Sequence, residues 1–179
     1  MDNDLLYQIA LTLEPNISEE HAKAMKNIYG DAQSILKAKK KELEAIEGIG
    51  TIRAKSIKEF IDFTGCETEI KFIEKYKIAP LFITDKNYPQ RLLHCYDSPP
   101  LLYYRGTADL NTAKIIAVVG TRTHSEYGKN ITEKIIAELA DQNIIVVSGL
   151  AFGIDTIAHK AALKNNLATI GVLAHGLDR

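Results

Sequence analysis

The hydrophobic pattern divides the chain into a helical first part and an α/β second part. In residues 3–63, apolar residues recur every three or four positions, which is the spacing of amphipathic helices. Ser18 predicts the start of one helix, and the pair Gly30-Asp31 predicts its end and the cap of the next. From Lys114 onward, continuous β-branched runs alternate with helical patterns.

Three apolar runs in the second part predict the strands of one parallel sheet. They cover residues 115–120, 144–149 and 168–173, with an amphipathic helical pattern between each pair. This β-α-β-α-β order is one mononucleotide-binding half of a Rossmann-like sheet. Ligands of such sheets bind beyond the carboxyl ends of the strands, which is where we look for a site.

A turn between two glycines closes the helical part. In the stretch LEAIEGIGTIRAKSIKEF, residues 43–60, a short helix is expected to end at Gly48 and Gly50. Ile49 between them can point inward as an anchor, and Thr51 is placed to cap the next helix. This pattern resembles a helix-hairpin-helix motif.

A helix-hairpin-helix turn directs the N–H groups of its second helix outward, where they can hold a DNA phosphate without reading a base. The candidate contacts are Gly48, Gly50, Arg53 and Lys55, the last two adding positive charge. The same pattern can also simply join two packed helices or form a protein contact. Whether this turn touches DNA is left open by the sequence.

Residues 66–112 have no regular hydrophobic periodicity and are interrupted by prolines and turn residues. They contain one strand-like run at 77–85 and an edge-strand pattern at 101–106, with three prolines between or beside them. We predict a helical domain at 1–65, followed at 66–179 by a Rossmann-like domain with an N-terminal extension that stops after its third parallel strand. The expected fold class is α/β, with a small all-helical, helix-hairpin-helix (SAM-like) domain before a partial Rossmann-like parallel sheet.

Composition confines any nucleic-acid site to a few residues. The 179 residues carry 22 Lys and Arg against 23 Asp and Glu, a formal net charge of −1, and neither part of the chain is basic. Cys66 and Cys95 lack secretory or metal-ligand spacing, the histidines are scattered, and no apolar run approaches the roughly 20 residues of a membrane span. We expect no metal, no cofactor, no membrane contact and a cytoplasmic location.

Small-residue turns follow the first two predicted parallel strands. Gly120, Thr121 and Arg122 follow one strand, and the stretch SGLAFG, residues 148–153, follows the next. A strand, a glycine turn and a helix present backbone N–H groups to a phosphate, although the spacing here is not that of a dinucleotide site. The Arg122 guanidinium can bind the same phosphate with two N–H groups, whereas the alternative is a surface salt bridge.

Two polar residues follow these turns on the next helix. A carboxylate in a first helical turn favours the helix dipole but repels a phosphate, so we interpret Asp155 as a capping residue. His159 lies four residues later on the same helical face. We expect the two to form a structural pair rather than an acid–base pair.

Several of these stretches resemble successive blocks of the DNA-processing protein A family (DprA/Smf). They are VVGTRTHSEYG, VVSGLAFGIDTIAH and TIGVLAHGLDR, and the upstream YPQRLLHCYDSPPLLYYRG resembles the lead-in to the family's sheet. The resemblance runs from Tyr88 to the last residue. It implies a bacterial single-stranded DNA binder that assists natural transformation and recombination by protecting DNA and loading the RecA recombinase. The phosphate-binding residues that it implies by position are Gly120, Thr121, Arg122, Ser148, Gly149, Ala151 and Gly153.

The chain departs from the family pattern in two places. Phe152 stands where many members carry Lys or Arg, so a ring that can stack on a base replaces one phosphate contact. The family also continues beyond the equivalent of the last residue here, so we expect an N-terminal part of a longer protein, with dimer and recombinase surfaces outside it. We therefore expect residues 168–173 to form an edge strand that self-associates or pairs with a further segment.

Two other function classes are compatible with a fold of this kind. A Rossmann-like nucleotide phosphoribohydrolase would carry a proline-glycine-glycine-x-glycine-threonine stretch, which is not found here, and neither is a serine-histidine-aspartate order or a carboxylate pair. A protein-interaction module would leave the glycine turns without an anion. We predict no catalytic residues and no enzymatic activity, and we expect single-stranded DNA, RecA and a second copy of the chain as partners.

Overall fold

The computed structural model describes residues 3–14 and 16–178. The chain separates into two compact units, the first covering Met1–Gly106 and the second Thr107–Arg179. Each unit is described by itself.

The described part of the first unit is a set of helices followed by a small antiparallel sheet. The helices are α1 (Asn3–Leu13), α2 (Glu19–Tyr29), α3 (Ala32–Lys37), α4 (Lys40–Glu44), α5 (Gly50–Glu59) and α6 (Phe63–Tyr76). Strands β1 (Ala79–Phe82) and β2 (Leu101–Tyr104) pair antiparallel, with the five-residue 3-10 helix Gln90–His94 between them.

Local capping explains where α2 and α3 begin. The Ser18 hydroxyl accepts a hydrogen bond from the N–H of His21, and the His21 ring accepts one from the N–H of Ser18 at 3.1 Å. Gly30 ends α2 with a φ of +84°, and the Asp31 carboxylate accepts the N–H of Ser34 at 2.7 Å. The predicted boundaries at Ser18, Gly30 and Asp31 are confirmed.

The predicted cap of α5 is wrong. The helix begins at Gly50, so Ile49 occupies the capping position and Thr51 lies inside the first turn. Ile49 is only 1% exposed, which confirms that it anchors the turn, and the helix begins two residues before the position at which the Thr51 hydroxyl could cap it.

Helix α6 was not predicted from the sequence. Its residues FTGCETEIKFIEKY include β-branched and aromatic residues with modest helix propensity. Cys66 and Ile73 are nevertheless buried, and the helix packs against α1. Tertiary packing therefore stabilises the helix, and it brings residues 66–106 into the first unit, although we placed them with the sheet.

Each of the six α-helices contributes buried side chains to the core of the first unit. Its largest fully buried side chains are Ile9, Leu11, Met25, Ile35, Leu43, Ile49, Cys66, Phe82 and Tyr88. The Tyr88 hydroxyl donates a hydrogen bond to the carbonyl oxygen of Pro99 at 2.6 Å, which connects the two ends of the segment between β1 and β2.

The second unit contains the predicted parallel sheet. Strands β3 (Ile115–Ala117), β4 (Ile145–Gly149) and β5 (Ala168–Val172) lie in the order β3-β4-β5 and are parallel. Helices α7 (Glu126–Glu138) and α8 (Ile154–Lys164) connect them. The parallel β-α-β-α-β arrangement is confirmed, with a first strand that is three residues shorter than the apolar run suggested.

Helix α8 packs against β4, β5 and α7 and closes the core of the second unit. That core consists of Ile136, Ile144, Val146, Ala158, Ala161, Ala162 and Leu167, with Ile116, Val118 and Leu139 packed on it. The alanines allow α8 to approach the sheet closely. In the described residues, no helix combines the length and the hydrophobicity needed to cross a bilayer.

Candidate functional site

The turns that follow β3 and β4 are in direct contact. The N–H of Ile154, the first residue of α8, donates a hydrogen bond to the carbonyl oxygen of Thr121 at 3.1 Å. A Cβ atom on Gly120 would lie 2.6 Å from the Cβ of Ile154, so only glycine permits this approach. The two turns, found in the sequence as separate motifs, therefore form one continuous surface at the carboxyl edge of the sheet.

The strands beneath this surface are joined by a buried hydroxyl. Ser148 is 3% exposed, and its Oγ donates a hydrogen bond to the carbonyl oxygen of Val118 at 2.7 Å. The N–H of Val118 in turn donates to Val147 at 2.9 Å. Ser148 thus uses its hydroxyl proton to hold the ends of β3 and β4 together.

The first turn of α8 retains N–H groups that could bind an anion. The N–H groups of Ile154 and Ile157 are bonded to Thr121 and Gly153, respectively. Those of Asp155 and Thr156 have no acceptor within the described part of the chain. Because the helix dipole adds positive potential at the same end, these N–H groups favour a negative ligand.

Arg122 and Phe152 extend from the joined turns into solvent. The Arg122 side chain is exposed and makes no hydrogen bond or ion pair with any residue that the structure describes. The surface salt bridge considered as its alternative is therefore not observed among those residues. Phe152 is 84% exposed, so the face of its ring is accessible from solvent.

The Thr121 side chain closes its own turn. Its Oγ1 accepts the N–H of Thr123 at 3.2 Å and donates to the carbonyl oxygen of Thr123 at 3.1 Å. Thr156 acts similarly after β4, since its hydroxyl donates to the carbonyl oxygen of Ala151 at 2.7 Å. Both hydroxyl groups stabilise the shape of the turns.

The expected pair of Asp155 and His159 is wrong. The two ring nitrogens of His159 are hydrogen bonded to Thr169 Oγ1 and to the carbonyl oxygen of Gly149, each at 2.7 Å. Asp155 is 8% exposed, its side chain lies against Gly149, and its Oδ1 has no hydrogen-bond partner among the described residues. His159 instead connects β4 to β5, because the small side chains of α8 bring its ring within reach of both strands.

The glycine turn of the first unit has the predicted backbone conformation, but its two cationic side chains already have partners within the chain. Gly48 and Gly50 have φ values of +83° and +59°. Arg53 donates hydrogen bonds to the carbonyl oxygens of Gly48 at 3.0 Å and Asn16 at 3.2 Å. Lys55 forms an ion pair with Glu59 at 3.8 Å. The helix-hairpin-helix assignment stays a prediction, and both of its cations already have partners.

Two residues that shape the site were not singled out from the sequence. Ser125 caps α7 by accepting the N–H of Gly128 at 3.1 Å, and a serine directly before Glu126 was a readable signal. Thr156 had no comparable signal, because its hydroxyl bonds a carbonyl group five residues earlier. In the part of the chain that the structure describes, no cluster of three His, Cys, Asp or Glu residues could hold a metal ion.

Comparison with known proteins gives consistent matches. The family model of DNA recombination-mediator protein A matches residues 79–179. The DNA processing protein DprA of Streptococcus pneumoniae is 40% identical over 133 residues, which are 67% of this chain and 47% of that protein. Protein Smf of Synechocystis is 36% identical over 149 residues, which are 79% of this chain and 37% of that protein.

A solved structure has the same fold. The X-ray structure of DprA from Streptococcus pneumoniae matches 100% of this chain and 60% of that chain, with a TM-score of 0.75 and 30% sequence identity. The chain spans less than half the length of the two curated relatives.

Proposed function

Because the chain belongs to the DNA recombination-mediator protein A family, we propose that its second unit holds the phosphate backbone of single-stranded DNA at the joined turns after β3 and β4. Membership places the chain among proteins of DNA processing and recombination. The observation that carries the proposal is the contact between the two turns, with an exposed Arg122 that has no partner among the described residues.

The physical case for a phosphate rests on complementary charge at a small site. The chain has a net charge of −1, so binding must come from a local arrangement rather than from an overall basic surface. A guanidinium beside free helical N–H groups supplies such an arrangement. The side chain of Asp155 lies against Gly149 and is buried.

We assign the residues of the site separate roles. Arg122 supplies the charge, and Phe152 stacks on a base. The remaining residues of the predicted set shape the two turns and direct their N–H groups: Gly120, Thr121, Ser148, Gly149, Ala151 and Gly153. Contact of DNA with Gly48, Gly50, Arg53 and Lys55 is a secondary proposal, because the charges of Arg53 and Lys55 are already engaged.

The biological role that we propose follows from the family. It is protection of single-stranded DNA and loading of the RecA recombinase during natural transformation, in the bacterial cytoplasm and as a homodimer. We propose that the chain acts by binding and not by catalysis, since the turns offer N–H groups and one cation but no activated nucleophile.

The proposal is tested by measuring the fluorescence anisotropy of a labelled single-stranded oligonucleotide over a salt series. Arg122→Ala should weaken binding of every sequence alike and reduce the slope of log affinity against log salt by about 0.7, the value for one phosphate contact on a single strand. Lys134→Ala is the matched control, since Lys134 is an exposed cation of the same unit that is paired with Glu138 at 3.8 Å. Equal effects of the two substitutions would refute the assignment.

Phe152→Ala separates stacking from charge in the same assay. Loss of a stacked base should cost about 1–3 kcal/mol with little change in salt slope. The enzymatic alternative predicts instead that a nucleoside monophosphate is hydrolysed and that Arg122→Ala or Asp155→Asn abolishes this turnover.

A further inference from the structure

A groove runs beside the proposed phosphate site, between α7 and α8. It has a volume of about 340 Å³ and is lined by side chains of both helices and by the turn after β4. This volume is at the lower end of the range of roughly 300–1,000 Å³ that small-molecule sites occupy. Phe152 and Gly153 of the turn after β4 are among its lining residues, so the groove adjoins the joined turns.

Cations line the groove on both sides. Lys129 comes from α7 and Lys160 from α8, and neither forms an ion pair with a residue that the structure describes. Lys134 on the same helix differs from Lys129, since it forms an ion pair with Glu138 four residues later. Two unpaired ammonium groups facing one cleft favour an anionic ligand.

A carboxylate and an aromatic ring complete the lining. Glu133 belongs to α7, one turn after Lys129, and lies in the same groove. Phe152 is 84% exposed and follows directly before Gly153, whose backbone is packed against Thr121 and Arg122. Because that turn is packed in place, the ring is presented at the groove instead of folding into the core.

We propose that the groove binds the nucleotide next to the one whose phosphate lies at the joined turns, an inference that rests on the proposed function. The base of this nucleotide stacks on Phe152, and its phosphate lies between Lys129 and Lys160. Glu133 accepts a hydrogen bond from the exocyclic amino group of that base. The groove therefore selects single-stranded DNA whose bases carry an amino group, such as cytosine, over thymine.

The selectivity follows from the donors and acceptors of the bases. Cytosine presents an amino donor at N4, which a carboxylate can accept, whereas thymine presents the acceptor O4 at the equivalent position. A carboxylate facing O4 places two acceptors against each other. We expect oligo-dC to bind about fivefold or more tightly than oligo-dT of equal length.

The experiment measures the anisotropy of labelled oligo-dC and oligo-dT of equal length with the full chain over a salt series. Lys129→Ala and Lys160→Ala should each weaken both oligonucleotides and reduce the salt slope by about 0.7. Glu133→Gln should remove the preference for oligo-dC, because the amide can also donate to O4. Lys134→Ala and Glu138→Gln are the matched controls on the same helix and should change neither quantity.

The outcomes separate this inference from the function on which it rests. If Arg122→Ala weakens binding while Lys129→Ala and Lys160→Ala behave like Lys134→Ala, the groove is not a nucleotide site and the phosphate site stands. Equal affinity of the unsubstituted chain for oligo-dC and oligo-dT overturns the base selectivity. If the chain binds neither oligonucleotide, the proposed function and this inference both fail.

Discussion

Gly153 allows the two turns of the candidate site to meet because it has no side chain. Its φ is +86°, a region that residues with a Cβ atom rarely adopt. A Cβ atom at this position would overlap the carbonyl oxygen of Thr121 and lie 2.6 Å from that of Arg122. The close backbone contact that forms the site therefore requires a glycine at position 153, where a hydrogen atom takes the place of Cβ.

This geometry predicts that Gly153→Ala destabilises the second unit. Backbone strain of this kind costs on the order of 1–3 kcal/mol, and the overlap with Thr121 adds to it. We expect a lower free energy of unfolding in urea, followed by circular dichroism, together with weaker binding of single-stranded DNA.

Gly128→Ala is the control for this experiment. Gly128 lies in α7, and a Cβ atom there would meet the Ser125 Oγ at an ordinary 3.5 Å. Since alanine favours helix more than glycine, stability should stay the same or rise by up to about 1 kcal/mol. If Gly153→Ala proved as harmless as Gly128→Ala, the contact between the turns would not be what stabilises the site.

At the scale of the elements, the sequence predicts what local chemistry determines. Capping residues placed the boundaries of α2 and α3 correctly, and apolar runs placed the three parallel strands. Because parallel strands end at one edge, the sequence also placed the turns that carry Arg122 and Phe152 at a common edge of the sheet. Features that depend on distant neighbours were missed, such as α6, whose stability comes from packing on α1.

The side-chain partners within the site show the same limit. The i,i+4 spacing suggested a pair of Asp155 and His159, but His159 bonds to two strands that the spacing does not reveal. Similarly, the sequence named Arg53 as a candidate phosphate contact, but it did not reveal that Arg53 donates to the carbonyl oxygen of Asn16, 37 residues away in sequence. Periodicity predicts the face on which a residue lies, whereas the choice of partner requires the tertiary structure.

The cap of α2 makes the first unit sensitive to pH. Burial, followed by the positive charge of Arg53, lowers the pKa of His21 below its usual value of about 6.5, and Glu20 opposes this. The unfolded chain therefore takes up a proton at a higher pH than the folded chain does. The contribution of His21 to stability should be fully present above about pH 6.5 and should be lost as the pH drops from there to the lowered pKa of the folded state.

We expect amide hydrogen exchange in α2 to become faster at pH 5.5 than at pH 7.5, after correction for the intrinsic pH dependence of exchange. Protonation of the ring removes the nitrogen that accepts the Ser18 N–H at 3.1 Å. His21→Gln is the control, because glutamine at this position can still accept that N–H and does not titrate. An unchanged pH dependence in His21→Gln would exclude the cap as its origin.

At the scale of the whole molecule, β5 is an outer strand of the sheet among the residues that the structure describes. Within the described residues, β5 pairs with β4 alone, so one side of Ala168–Val172 has no strand beside it. The other outer strand, Ile115–Ala117, is shorter and offers fewer backbone groups. Val172 on β5 is 59% exposed, which adds an apolar contact to the unpaired backbone. Such an edge is a template for pairing with another strand, either of a further segment of the same protein or of a second copy of this chain.

We predict that the chain self-associates through β5 and that Val172→Lys weakens this association. A lysine on an edge strand opposes edge-to-edge pairing because two like charges would have to approach each other and lose water. Sedimentation velocity over a range of protein concentrations should show the monomer persisting to higher concentration in the variant.

Leu163→Lys is the control for this experiment. It also introduces a lysine in place of an exposed apolar residue, at a position in α8 that is 65% exposed, and it should leave the association intact. Both substitutions are on the surface and should alter stability by no more than about 0.5 kcal/mol, so a difference between them reports on association. A chain that is monomeric at every concentration, or equal behaviour of the two variants, would rule out β5 as the contact.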